Sequence, residues 1–108
     1  MKIEYTLEER NQLYQDLASW NGTKKQLITC IEKLSSLCVE ICKYVNEEFN
    51  PDILPDIAAR VADVRIAIEQ ITLYLKLDTE VSKSMQFKLD RMLMSLDDAS
   101  YLYLKGDE

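Results

Sequence analysis

Histidine is absent from this 108-residue chain, and glycine and proline occur only twice each. Without an imidazole there is no histidine base for a catalytic triad or dyad, and no glycine-rich elbow or phosphate loop is present, so those enzyme classes are excluded. So few turn formers also exclude an all-β chain, which needs a reversal about every eight to twelve residues. Long apolar runs are missing as well. None approaches the roughly 20 residues needed to cross a bilayer, and the opening MKIEYTLEER is too charged for a targeting segment, which predicts a cytoplasmic protein with no membrane partner.

Positive charge is in deficit, with 13 basic against 19 acidic residues and a net charge of −6 at pH 7. Nonspecific nucleic-acid binding depends on lysine and arginine displacing counterions from phosphates, so nucleic acid is not an expected partner. The three cysteines, Cys30, Cys38 and Cys42, fall in one apolar segment and read as small core residues. Their odd number and the lack of a secretory signal predict a reducing compartment. A structural zinc site takes four ligands, usually cysteine and histidine, so no zinc or other cofactor is expected.

What remains is a chain with 47% hydrophobic and 30% charged residues, the composition of an idealised helical protein of one-domain size. Thr6 and Glu9 form a capping-box pattern that opens a helix over 6–20, with Leu7, Leu13, Leu17 and Trp20 on one side and Asn21-Gly22 as its stop. A second helix is predicted over 23–47. There Leu27, Cys30, Ile31, Leu34, Cys38, Ile41 and Val45 recur at helical spacing, and Ile28, Leu37, Val39 and Cys42 extend the apolar surface around the helix. A helix apolar nearly all round must be covered on several sides, which in so small a chain predicts a homo-oligomer. NEEFNPDILPD carries both prolines and reads as a loop, with Asp56 as the N-cap of a third helix over 57–76. That helix carries a seam of Ile57, Val61, Val64, Ile68, Ile71 and Leu75. A fourth helix over 79–104 carries Val81, Met85, Leu89, Met92, Leu96 and Ala99, and its tail is expected to fray after Leu104. The expected architecture is an all-α, four-helix antiparallel bundle in a single domain over 1–108.

The order of landmarks in this frame resembles that of a known family. A Trp-Gly start falls on Trp20 and Gly22, followed by Gln26 and then Glu32-Lys33-x-x-Ser36. Next come Arg60-x-x-Asp63 inside AARVADVRIAIEQI, with Glu69 and Gln70 behind it, and Phe87-Lys88-Leu89-Asp90-Arg91 on the fourth helix. Together these resemble the MazG-like branch of the all-α nucleoside triphosphate pyrophosphohydrolases, over Trp20 to Leu96. In that family Glu-Glu-x-x-Glu on one helix and Glu-x-x-Asp on another project carboxylates into a shared cavity. There they hold magnesium, which positions a water to attack the α-phosphorus and release a nucleoside monophosphate and pyrophosphate.

The chain departs from the family pattern at those acids. Glu32 and Asp63 stand, but Lys33, Ser36 and Arg60 replace the other three, so the constellation changes from a formal charge of −5 to 0. At ~4 Å and an effective dielectric of 20, each base repels an incoming cation by about 4 kcal/mol per unit charge. The family's magnesium site is therefore not expected. A relocated site from Glu32, Glu40, Asp56 and Asp63 is the enzymatic alternative, and Mg would then be its cofactor. The structural alternative pairs Glu32 with Arg60 and Lys33 with Asp63 as salt bridges. What the resemblance implies for Lys88 and Arg91 is phosphate contact, against an ordinary solvated helix face. Trp20 and Gln26 are either the edge of a base pocket or packing and capping residues, and Tyr101 and Tyr103 read as helix-end packing.

Three functions follow as expectations. The first is a non-catalytic MazG-like protein that binds a nucleotide through Lys33, Arg60, Lys88 and Arg91, with Trp20 and Gln26 nearby, or that works as a regulatory or interaction protein. The second is an active magnesium-dependent pyrophosphohydrolase using relocated carboxylates. The third is an inhibitor or regulator that binds another protein on the same scaffold.

Overall fold

A computed structural model describes the backbone of residues 4–106 and the side chains of residues 4–99. Four α-helices and one 3-10 turn make up its regular structure, with no strand among the described residues, so the all-α class is established. The chain divides into two compact units, Met1–Lys76 and Leu77–Glu108. Helix-on-helix packing of the kind a bundle uses is found in the first.

Helix α1 (Leu7–Asn21) opens with the expected capping box: Thr6 Oγ1 accepts from the Glu9 amide and Glu9 Oε1 from the Thr6 amide, both at 3.1 Å. It stops at Gly22, whose φ of 86° and ψ of 144° suit only a residue without a Cβ, while its amide closes the last turn on the Ala18 carbonyl. Helix α2 (Thr23–Asn46) begins at once and runs 24 residues unbroken. Glu48 and Phe49 end it in the left-handed region, at φ 57° and 61°. The Phe49 amide bonds the Tyr44 carbonyl at 2.8 Å and the two rings meet edge to face at 5.5 Å, which offsets the backbone strain of that exit.

The proline segment is less of a loop than its sequence suggests. Asn50 accepts from the Asp52 amide and caps a 3-10 turn, Pro51–Ile53, which continues directly into α3 (Leu54–Tyr74). Asp56 is therefore not an N-cap. It lies in the first turn of α3, just after Pro55, whose missing amide costs nothing at a helix start.

Helices α2 and α3 are antiparallel: Gln26 meets Gln70, Cys30 meets Ala67 and Lys33 meets Asp63, so numbers rise along one helix as they fall along the other. The α2 face turned to α3 is Gln26, Cys30, Lys33, Leu37, Glu40 and Tyr44, buried or half-buried at spacings of four and three. This corrects the expected orientation. Of the apolar α2 stripe, Cys30 is buried and Leu27 half-buried, whereas Ile31, at 61% exposure, and Leu34, Cys38, Ile41 and Val45 all face outward. On α1 the expected Leu7, Leu13 and Trp20 are exposed, Trp20 at 89%, and Tyr14 is the buried residue instead. On α3 Val64 is buried and Ile57, Val61 and Ile71 half-buried as a seam requires, but Ile68 and Leu75 are exposed and Ala67 and Gln70 take the interior.

Helix α4 (Asp78–Gly106) forms the second unit. Val81 is half-buried, while Met85, Leu89, Met92 and Leu96 are exposed. The side chains of Tyr101 and Tyr103, read above as helix-end packing, lie outside the described residues. No described helix is long and apolar enough to cross a membrane.

Candidate functional site

Asp63 lies on α3 at the edge of the α2 contact, and its Oδ2 draws two bases. Arg60, one turn earlier, donates from Nη1 at 3.1 Å, and Lys33 reaches across from α2 to place Nζ at 4.0 Å. The i and i+3 spacing puts Arg60 and Asp63 on one helix face, and the antiparallel register brings Lys33 opposite them. All three side chains are substantially exposed, so water screens the cluster and its contribution to stability is small. Chemically it is a carboxylate held by two cations with one positive charge left over.

The expected Lys33–Asp63 pair is thus present, whereas the expected Glu32–Arg60 pair is not. Glu32 stands one residue, about 100° of helix, away from Lys33, which turns it off the α3 contact onto the exposed rim of α2. Arg60 finds its acid within its own helix instead. The relocated carboxylates do not converge either. Glu40 is half-buried beside Lys43, with one oxygen lacking a hydrogen bond, Asp56 is exposed on the first turn of α3, and no metal-ligating group of three or more acids and cysteines occurs among the described residues.

The remaining candidates are dispersed. Trp20 is solvated and packs on nothing that would bury it, while Gln26 is committed to the interior, where its Oε1 accepts from Gln70 Nε2 at 3.4 Å. Lys88 and Arg91 belong to the second unit, where the Arg91 guanidinium lies 5.8 Å from the centre of the Phe87 ring. A surface depression on α1, lined by Leu7, Glu8, Asn11, Gln12 and Gln15, contains none of the candidate residues.

A second polar cluster, missed in the sequence, joins all three helices of the first unit. Glu69 Oε2 accepts from Tyr14 at 2.5 Å and from Arg10 Nε at 2.9 Å, and the Tyr74 hydroxyl donates to the Tyr14 carbonyl at 2.7 Å. Gln70 continues it, donating to both Gln26 and Tyr74 and accepting from the Cys30 thiol at 3.7 Å. Burial works to raise the Glu69 pKa, but the hydrogen bonds from Arg10 and Tyr14, with the charge of Arg10, outweigh it and hold the carboxyl below its ordinary value. Burial and the Glu69 hydrogen bond push Tyr14 up to about 12. Burial also raises Tyr74 and Cys30, which keeps the Cys30 thiol neutral and poorly nucleophilic. The adjacent Glu69-Gln70 pair was the available signal, two polar residues in an otherwise apolar stretch of α3.

The chain matches no family model, no curated protein and no solved structure.

Proposed function

We propose that the chain is a non-catalytic interaction protein, a divergent MazG-like helical scaffold that works by associating with a second copy of itself. The observation that carries this reading is the outward face of α2. Ile31, Leu34, Cys38, Ile41 and Val45 repeat at three and four residues, all exposed, beside a half-buried Leu27. From Leu27 to Val45 that seam is about 27 Å long at 1.5 Å per residue. Solvated faces of this size and regularity are the ones coiled-coil partners cover. The Asp63 cluster supports the non-catalytic part, since a divalent ion would have to displace two bases from the one carboxylate.

Sedimentation velocity over a range of concentrations tests the reading. The wild type is expected to be dimeric at micromolar concentration, and Ile31→Glu or Ile41→Glu, which sets a charge in the seam, to weaken association by about 100-fold or more. A wild type that stays monomeric throughout would overturn it. The enzymatic alternative needs magnesium-dependent pyrophosphate release from nucleoside triphosphates, lost in Asp63→Ala.

A further inference from the structure

We infer that the self-association surface is two helices wide: the α2 seam continues onto α3, and a second copy covers both helices of the hairpin at once. This rests on the self-association proposed above and adds the extent of the surface it uses.

The α2–α3 contact repeats every seven residues, through Gln26, Lys33 and Glu40 and through Cys30, Leu37 and Tyr44, so every other row of α2 repeats with it. Relative to that contact, Leu27, Leu34 and Ile41 form an inner row about 80° round the helix, and Ile31, Cys38 and Val45 an outer row about 130° round in the same sense. Helix α3 repeats the arrangement about its own contact row of Asp63, Ala67 and Gln70. Ile57, Val64 and Ile71 lie about 80° round, and Leu54, Val61, Ile68 and Leu75 about 130° round. On antiparallel helices the same rotational sense from the contact leads to the same side of the pair. The four rows therefore form one face, and none of them contains a charged residue. Helix α1 lies on the other side, where Arg10 and Tyr14 hold Glu69, about 130° round α3 in the opposite sense.

The outer rows decide what can cover this face. Helix axes about 8–10 Å apart, with outer rows turned away from each other, set those rows roughly 15 Å apart, more than one helix of about 10–12 Å diameter spans. A single helix in the groove would seal the inner rows and leave the outer ones in water. Two helices side by side cover all four. The partner must then present an apolar face of the same width, and the chain itself carries one. Its exposed members each show roughly half of their surface, on the order of 600 Å² in all, against the about 800 Å² per partner that a stable dimer buries. With no charge in the rows, the face meets a copy of itself without repulsion despite the net charge of −6.

Sedimentation velocity on the full chain tests the width. Ile68→Glu should raise the dimer dissociation constant by about 100-fold, as expected for Ile31→Glu, because each sets a charge in the face twice by symmetry. Ile66 is the control: it is as exposed as Ile68, at 47% against 49%, but lies on the side of the pair that α1 occupies. Ile66→Glu should change the constant by less than about threefold. Maleimide labelling read by mass spectrometry supplies a second readout. In Ile68→Cys the new thiol should react more slowly as protein concentration rises through dimerisation, while in Ile66→Cys it should label at one rate throughout. A dimer that Ile31→Glu weakens and Ile68→Glu does not, or a position 68 labelled equally at every concentration, confines the surface to α2 and overturns the two-helix face while self-association stands. A monomeric wild type removes both.

Discussion

Removing one hydroxyl tests whether the polar cluster, rather than apolar burial, holds α1 in place. Tyr14 is the one fully buried side chain of α1, at 3% exposure, and its hydroxyl lies 2.5 Å from a Glu69 oxygen. Tyr14→Phe keeps the ring and leaves no ring-sized cavity, so the lost hydrogen bond dominates. Hydrogen bonds to charged acceptors contribute about 1.5–3 kcal/mol. The Glu69 side chain is 31% exposed, so water replaces part of the loss and the lower end, about 1.5–2 kcal/mol, is expected. At about 4–8 °C per kcal/mol in a domain of this size, Tm should fall by roughly 6–16 °C. Urea unfolding followed by tyrosine near-UV circular dichroism is the assay, because Trp20 is too solvated to report on packing. In a Glu69→Gln background the same substitution should cost less than half as much, since the acceptor is no longer charged. Equal costs in both backgrounds, or a loss under about 0.5 kcal/mol, would refute the coupling and return α1 to simple apolar docking.

Two further outcomes are expected. Gly22→Ala should cost about 1–3 kcal/mol in the same urea assay. An added Cβ meets no atom within 4 Å, so the whole effect comes from a φ of 86°, and a neutral substitution would mean that the α1–α2 junction relaxes. Stability should also decline at both ends of the pH range. The Glu69 carboxyl is held below its ordinary 4.5, so its contribution is complete above that pH and is lost as pH falls through the lower folded value. Tyr14 is raised from 10.0 to about 12, so its contribution is present below pH 10 and lost as pH climbs toward 12. Urea midpoints across pH should lose the acid-side decline attributable to this carboxyl in Glu69→Gln, and the alkaline part attributable to this phenol in Tyr14→Phe.

Local rules in the sequence located the helices because each boundary has a local cause. The Thr6–Glu9 box, Gly22 at positive φ and the proline pair act within a few residues and need no tertiary information. Which face of each helix turns inward was far less legible. Apolar spacing pointed the Leu27–Val45 stripe of α2 at the core, but the interior of the first unit is lined by Gln26, Cys30, Gln70 and Tyr14, and most of that stripe is solvated. Periodicity finds an amphipathic stripe without saying whether α3 or another chain covers it. The Asp63 cluster was half legible for the same reason. Lys33 lies on the α3-facing stripe and reaches Asp63, whereas Glu32, one residue away, cannot, and only the helix rotation distinguishes them.

Polar residues in the α2–α3 contact have a physical role that apolar ones could not fill. A hairpin joined by leucines alone can slide by a heptad at little cost, because every seam position accepts every other. Here Gln26 meets Gln70 and Lys33 meets Asp63 only in the observed register. Sliding one heptad in one direction would bring Asp63 opposite Glu40, two acids beside the same contact. Sliding in the other would face Gln26 with Asp63 and take Gln70 away from the amide that satisfies it. A buried polar pair such as Gln26 and Gln70 adds little net stability when made and costs about 1–3 kcal/mol when left unpaired, so it penalises wrong registers more than it rewards the right one.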